Sequence, residues 1–328
     1  LRFTGRSRNV LIDHCHVFHN RGIGIHFDSV NLHQIVVSAS HVSYCRLGGV
    51  RIDGRCEVRN VQITGCDVEY NNNRSHGVPG ADAEPTAEIF LDARDGTIRE
   101  GTITGCTVQA TDSENGANVR LLGSAEGEPG TAGMWAITGN LIGSQRDNVH
   151  LSGVAGVTLT GNFLYSGHRR NVLVERSANV VIAANSFGHN QDYEGKQLRT
   201  GIRIVDSADV AISGVVLRDA AAGRHTVETA GPSERLAPLE LIRCRRVNVS
   251  GTQILDGAPN GIYVEDCVDA VFTGCTILES RPDRLMSAAI RWTGDAAGGL
   301  IAACRIGRGT EGAIVAPEQV RRETNVEG

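Results

Sequence analysis

NVQITGCDV, running from Asn60 to Val68, is the stretch whose reading decides the fold. Val61 and Ile63 alternate with Gln62 and Thr64; a glycine, the small Cys66 and an aliphatic Val68 follow. Alternation with period two over so few residues marks a half-buried strand, because a helix spaces its apolar residues by three and four. The run returns as NVLIDHCHV from Asn9, GTITGCTV from Gly101, GVTLTGNFL from Gly156, NVVIAANSF from Asn179, RVNVSGTQI from Arg246 and AVFTGCTI from Ala270. Such recurrence, roughly every 22 to 40 residues, signals a solenoid whose units bury their apolar faces only against their neighbours.

A second, shorter alternation closes on two aliphatics in each repeat: GIGIHFD from Gly22, GGVRID from Gly48, AEIFLD from Ala87, NVRLL from Asn118, NVHLS from Asn148 and GIRIV from Gly201. Each unit therefore reads as strand, tight turn, short strand, variable loop, strand. This pattern resembles the right-handed parallel β-helix of the pectin-lyase-like superfamily across nearly the whole chain. The resemblance implies an all-β, single-stranded right-handed parallel β-helix (solenoid) of about eleven coils over residues 1–316, with 317–328 a polar tail or cap. It also implies an inward ladder at the tight turn, formed here by Cys15, Ser40, Cys66, Cys106, Asn140, Asn162, Asn185, Val215, Thr252, Cys275 and Cys304.

Composition agrees. The 328 residues include 40 Gly and only 4% aromatics, as suits many short strands and turns around an aliphatic stack. A continuous core of this kind predicts one domain. A net charge of −5 offers no general attraction to phosphate backbones, and no apolar run reaches the roughly 18 to 20 residues that span a bilayer. Neither nucleic acid nor membrane is an expected partner. Five of the nine cysteines fall on the ladder, where a thiol serves as a small buried group. No C-x-x-C pair supports a structural zinc site, while Cys244 and Cys267 end equivalent strands and could stack or pair.

Because the inward columns are committed to packing, chemistry falls to outward residues. One outward column reads His26, Arg51, Phe90, Arg120, His150 and, further along, Arg203; the next reads Asp28, Asp53 and Asp92. Glu88, Asn118, Asn148 and Asn171 precede these strands and are expected to face outward too. Carboxylates on rungs about 4.8 Å apart resist joint ionisation and call for a cation, an arginine or a shared proton. The candidate catalytic residues are Asp28, Asp53, Asp92, Glu88, Arg51 and His26; the candidate substrate-binding residues are Arg120, His150, Asn118, Asn148 and Arg203. Polar residues on an exposed strand face, or an Asp capping the next turn, give the same letters without chemistry. Long insertions from Tyr70 and from Asp219 are expected to wall the strip. On another sheet His16, His41 and Asp67 share an outward column, which is too spread for tight metal coordination.

LIDH at Leu11 is similar to the Trp-Ile-Asp-His stretch of pectate lyases but lacks the Trp, and their Arg-x-Pro-x-x-Arg segment is absent. The polygalacturonase motifs Asn-Thr-Asp, Asp-Asp, Gly-His-Gly and Arg-Ile-Lys are absent as well. The resemblance implies a carbohydrate-active enzyme on an extended polysaccharide or oligosaccharide, with glycoside hydrolysis by two carboxylates placed first. A polysaccharide lyase is the alternative, with Arg51 or His26 as base and the uronate charge offset by Arg120 or calcium. A non-catalytic glycan-binding β-helix is the third reading. No cofactor is required and calcium is possible. Secretion or a periplasmic location follows from the resemblance, with a leader and a capping segment expected before Leu1.

Overall fold

The computed structural model describes residues 1–71, 86–113, 115–124, 131–190, 201–218 and 235–328. Among these residues there are 36 β-strands and no helix, hence no helix long and apolar enough to cross a membrane. Two compact units are distinguished: Leu1–Leu164 with Arg176–Val180, and Tyr165–Glu175 with Val181–Gly328.

In the first unit the repeat acts as its alternation dictates. Val61 and Ile63 pair in parallel with Ile35 and Val37 on one side and with Gly101 and Ile103 on the other. Their side chains are buried in the stack. Beyond the turn Val42, Val68, Val108 and Ile142 form a second buried column. Phe27, Ile52, Leu91, Leu121 and Leu151 form a third. Fully burying an aliphatic side chain contributes about 1.5–3 kcal/mol, so three continuous columns supply the main drive to stack. The glycine of the repeat is required by the turn: Gly65, Gly105 and Gly139 have φ of 60, 64 and 65°, a region costly for residues bearing a Cβ. Ala39 occupies the equivalent turn at φ 43°.

The inward ladder is a chain of hydrogen bonds and not only a column of small side chains. Cys106 N donates to Asn140 Oδ1 at 2.9 Å, and Asn140 N donates to Asn162 Oδ1 at 3.0 Å. Cysteine does the same with sulfur, since Cys66 N donates to Cys106 Sγ at 3.4 Å. The Cys66 thiol in turn donates to Thr64 O at 3.4 Å. Each side chain thus caps a backbone N–H that the turn takes out of the sheet.

The second unit repeats these devices. Val210, Val247 and Ala270 stack in one parallel column, with Ile212, Val249 and Phe272 beside them. Cys275 N donates to Cys304 Sγ at 3.4 Å, and Cys304 N to Asn325 Oδ1 at 2.9 Å. Cys244 N donates to Cys267 Sγ at 3.3 Å; both thiols are free, so these residues stack without a disulfide. Residues 317–328 are not a loose tail: Arg321–Glu323 and Val326–Glu327 pair in parallel with the preceding coil. Asn325, hidden in a polar sequence, carries the ladder one rung further.

Candidate active site

Five strands of the first unit carry the outward strip: Ile25–Leu32, Val50–Asp53, Thr86–Asp92, Gly116–Leu122 and Asp147–Ser152. With their aliphatics fixed inward, the register sets His26 beside Arg51, Arg51 beside Phe90, Phe90 beside Arg120, and Arg120 beside His150. Asp28 pairs with Asp53, and Asp92 follows Leu91, whose partner is Ile52. The His26–Arg51–Phe90–Arg120–His150 column and the Asp28–Asp53 pair read from sequence are therefore present in the register.

Their electrostatics are distinct. His26 Nε2 is 2.7 Å from Asp53 Oδ1, and Arg51 Nε donates to the other oxygen of the same carboxylate. Burial pushes the Asp53 carboxyl up, but the His26 hydrogen bond and the Arg51 charge outweigh it and hold it below the ordinary aspartate value. Asp28 is held low chiefly by its hydrogen bonds from Arg2. Ser29 Oγ donates to it as well, at 3.1 Å. Asp92 is chelated by Arg94, with Nε to Oδ1 at 2.8 Å. Phe90 points outward yet is only 2% exposed; it clusters with Ala87, Ala117 and Leu122, and the Arg51 and Arg120 guanidinium carbons lie 4.8 and 5.9 Å from its ring centre. Arg120 is fixed by Thr86 O and Asn115 O, both at 2.7 Å, and its Nε donates to His150 Nδ1 at 3.1 Å.

The outward placement expected of Glu88, Asn118, Asn148 and Asn171 is corrected: all four are fully buried. Pairing runs from Ala87–Ala117 directly to Ile89–Val119, skipping the residue between. That residue sits at a corner, where the alternation breaks and the side chain turns inside. Glu88 accepts from Asn71 N at 2.9 and 3.0 Å and from Asn71 Nδ2 at 2.7 Å. Asn118 Nδ2 donates to Gly143 O at 2.7 Å and to Asn148 Oδ1 at 3.0 Å. Arg203 belongs to the second unit, ion-paired with Glu240 at 2.9 Å. The walls expected from the two insertions fall at 72–85 and 219–234, outside the described residues.

The structure brings His26, Asp28 and Asp53 together, their donor atoms all within 4.8 Å of one another; Asp92 is not in this group. Sequence reading missed Arg94 and Asn71, the partners of Asp92 and Glu88. Arg94 carries the one available signal, standing two residues beyond the Asp it binds. On the short strands His16 pairs with His41 and His41 with Asp67, as the columns predicted. The missed member there is Glu69, two residues past Asp67 and so on the same face.

Residues 87–231 match the family described as the right handed beta helix region. No curated protein matches the sequence. Among solved structures, the enzymatically active domain of tailspike protein 2 from bacteriophage CBA120 is similar at 9% identity and a TM-score of 0.48, over 89% of this chain and 39% of its own. This chain thus spans about two fifths of that tailspike chain. An Arthrobacter chlorophenolicus A6 DFA-IIIase mutant shows 10% identity and a TM-score of 0.46, over 98% and 88% of the two chains. A PL6 alginate lyase complexed with a trisaccharide shows 11% identity and a TM-score of 0.40, over 94% and 82%. At such identities these structures assign no activity here. Repeat, parallel pairing and the family match over residues 87–231 together make the fold a parallel β-helix.

Proposed function

We propose that the protein is a polysaccharide lyase that cleaves an extended uronate-containing glycan lying along the strip from His26 to His150. The observation that carries this reading is the His26–Asp53 pair beside Arg51. A glycosidase needs one carboxyl kept protonated near neutral pH. The Asp28 and Asp53 carboxyls are both held below their ordinary value, which disfavours either as that acid. An elimination instead needs a base and cations. Asp53 takes the proton of His26 Nε2 as a hydrogen bond, leaving Nδ1 as the proton acceptor. Arg51, whose side chain is partly exposed, supplies positive charge for the uronate carboxylate, whose neutralisation acidifies the adjacent C5–H. The C5–H electron pair becomes the C4=C5 double bond, the proton passes to His26, and the C4–O bond breaks with its electron pair on the leaving oxygen, which takes a proton from water.

Calcium is not part of this reading. It takes about six to eight oxygen ligands, whereas the His26–Asp28–Asp53 group contains an imidazole and already has Arg2 and Arg51 on its carboxylates. Such substrates place the protein outside the cytoplasm. The test is digestion of a panel of uronate polysaccharides, following ultraviolet absorbance of an unsaturated uronate together with new reducing ends. Both signals rising, and both lost in His26→Ala, support the lyase. Reducing ends without absorbance overturn it in favour of hydrolysis, and binding without either product overturns it in favour of a glycan-binding module.

A further inference from the structure

We propose that His41, Asp67 and Glu69, on the short-strand face of the first unit, bind a zinc ion. This site is separate from the His26–Asp53 strip and does not rest on the activity proposed above. His41 and Asp67 are direct neighbours on parallel strands, and Glu69 lies opposite Ser43 on the same pair. His41 Nε2 is 3.5 Å from Asp67 Oδ2 and 3.3 Å from Glu69 Oε1. The three donor atoms all lie within 4.8 Å of one another.

These distances are long for hydrogen bonds between imidazole and carboxylate, which close to about 2.7–2.9 Å when charge-assisted. The His26–Asp53 contact in the same unit does close, to 2.7 Å. Ligands around a tetrahedral zinc with bonds of about 2.0–2.2 Å stand about 3.3–3.6 Å apart, which is the spacing His41 keeps to both acids. The surroundings prepare the same geometry. Gln109 Nε2 donates to Glu69 Oε2 at 2.7 Å, leaving Oε1 turned to His41. The His16 ring stacks on the His41 ring at a centroid distance of 4.7 Å and an angle of 8°, fixing its plane. Asp67 Oδ1 is buried without a hydrogen-bond partner. A bound dication gives this carboxylate a partner. One nitrogen and two oxygens select zinc over calcium, whose ligands are all oxygen. His41 and Asp67 side chains remain 37% and 44% exposed, so water completes the tetrahedron.

The experiment is calorimetric titration of chelator-treated full chain with Zn²⁺, with the Co²⁺ visible spectrum as a report of tetrahedral geometry. The wild-type chain should bind one equivalent, His41→Ala and Asp67→Asn should lose it, and Gln109→Ala should weaken it roughly tenfold. His26→Ala and Asp53→Asn should bind as wild type does. Absence of zinc binding in the wild type, wild-type affinity in a folded His41→Ala, or loss of the ion in His26→Ala each overturns the proposal.

Discussion

His26 Nε2 and Asp53 Oδ1 stand 2.7 Å apart across neighbouring parallel strands, two residue positions off direct register. Direct register sets His26 beside Arg51 and Asp28 beside Asp53. The pair thus forms along a diagonal, and Arg51 closes it from the Asp53 strand. This arrangement fixes which imidazole nitrogen meets the carboxylate, and most of the functional expectations rest on it.

For an active enzyme, His26→Ala should lower kcat by about 10²- to 10⁴-fold, the usual contribution of a general base. Asp53→Asn should lower it at least about 10²-fold, because the amide no longer holds the Nε2 tautomer. Asp28→Asn, whose partner is Arg2, should have the smaller effect. His150→Ala should raise KM more than it lowers kcat. Steady-state kinetics on one uronate polymer decide all four.

Asp53 also predicts an acid dependence of stability. Its folded-state carboxyl lies below the ordinary aspartate value, so between the two values the unfolded chain binds more protons. The stabilisation is present above the ordinary range, near about pH 4, and is lost as pH falls through the folded-state value. Denaturant unfolding at stepwise lower pH should show a shallower decline for Asp53→Asn than for the wild type.

In the ladder, Asn140→Ala should destabilise the fold by about 1–3 kcal/mol, since Cys106 N loses its acceptor inside the stack. Asn140→Cys should recover part of this, because Cys106 performs the same task for Cys66. Urea unfolding of the two variants provides the comparison.

Ala39 occupies a left-handed turn at φ 43°, where its counterparts Gly65 and Gly105 carry glycine. Ala39→Gly should therefore stabilise by up to about 1 kcal/mol. Gly105→Ala should destabilise similarly through backbone strain alone, since an added Cβ there meets nothing within 4 Å. Thermal melts of both variants test the pair.

Eight of the nine cysteines are buried and Cys15 is half-buried, all with free thiols. Burial pushes the Cys56 thiol up to about 11. A thiol reagent at mildly alkaline pH should label at most Cys15 in the folded chain and all nine after denaturation, read by intact mass.

The repeat NVQITGCDV was sufficient by itself for the coil, the strand order and the parity of each side chain. Those properties depend on residues next to one another, and a two-residue period fixes inside and outside wherever the strand is straight. The columns Asp28–Asp53 and His26–Arg51 were legible for this reason. Glu88, Asn118 and Asn148 were not, because they sit where the strand turns a corner and the period fails. Nor could the sequence tell a polar tail from the coil that Asn325 completes, since that depends on pairing with Cys304, 21 residues earlier. Only the tertiary structure decided which partner each outward charge would take. Arg51 could have served Asp28 or Asp53, and the stacking of neighbouring coils gave it to Asp53, while His41 both stacks on His16 and faces Asp67 and Glu69.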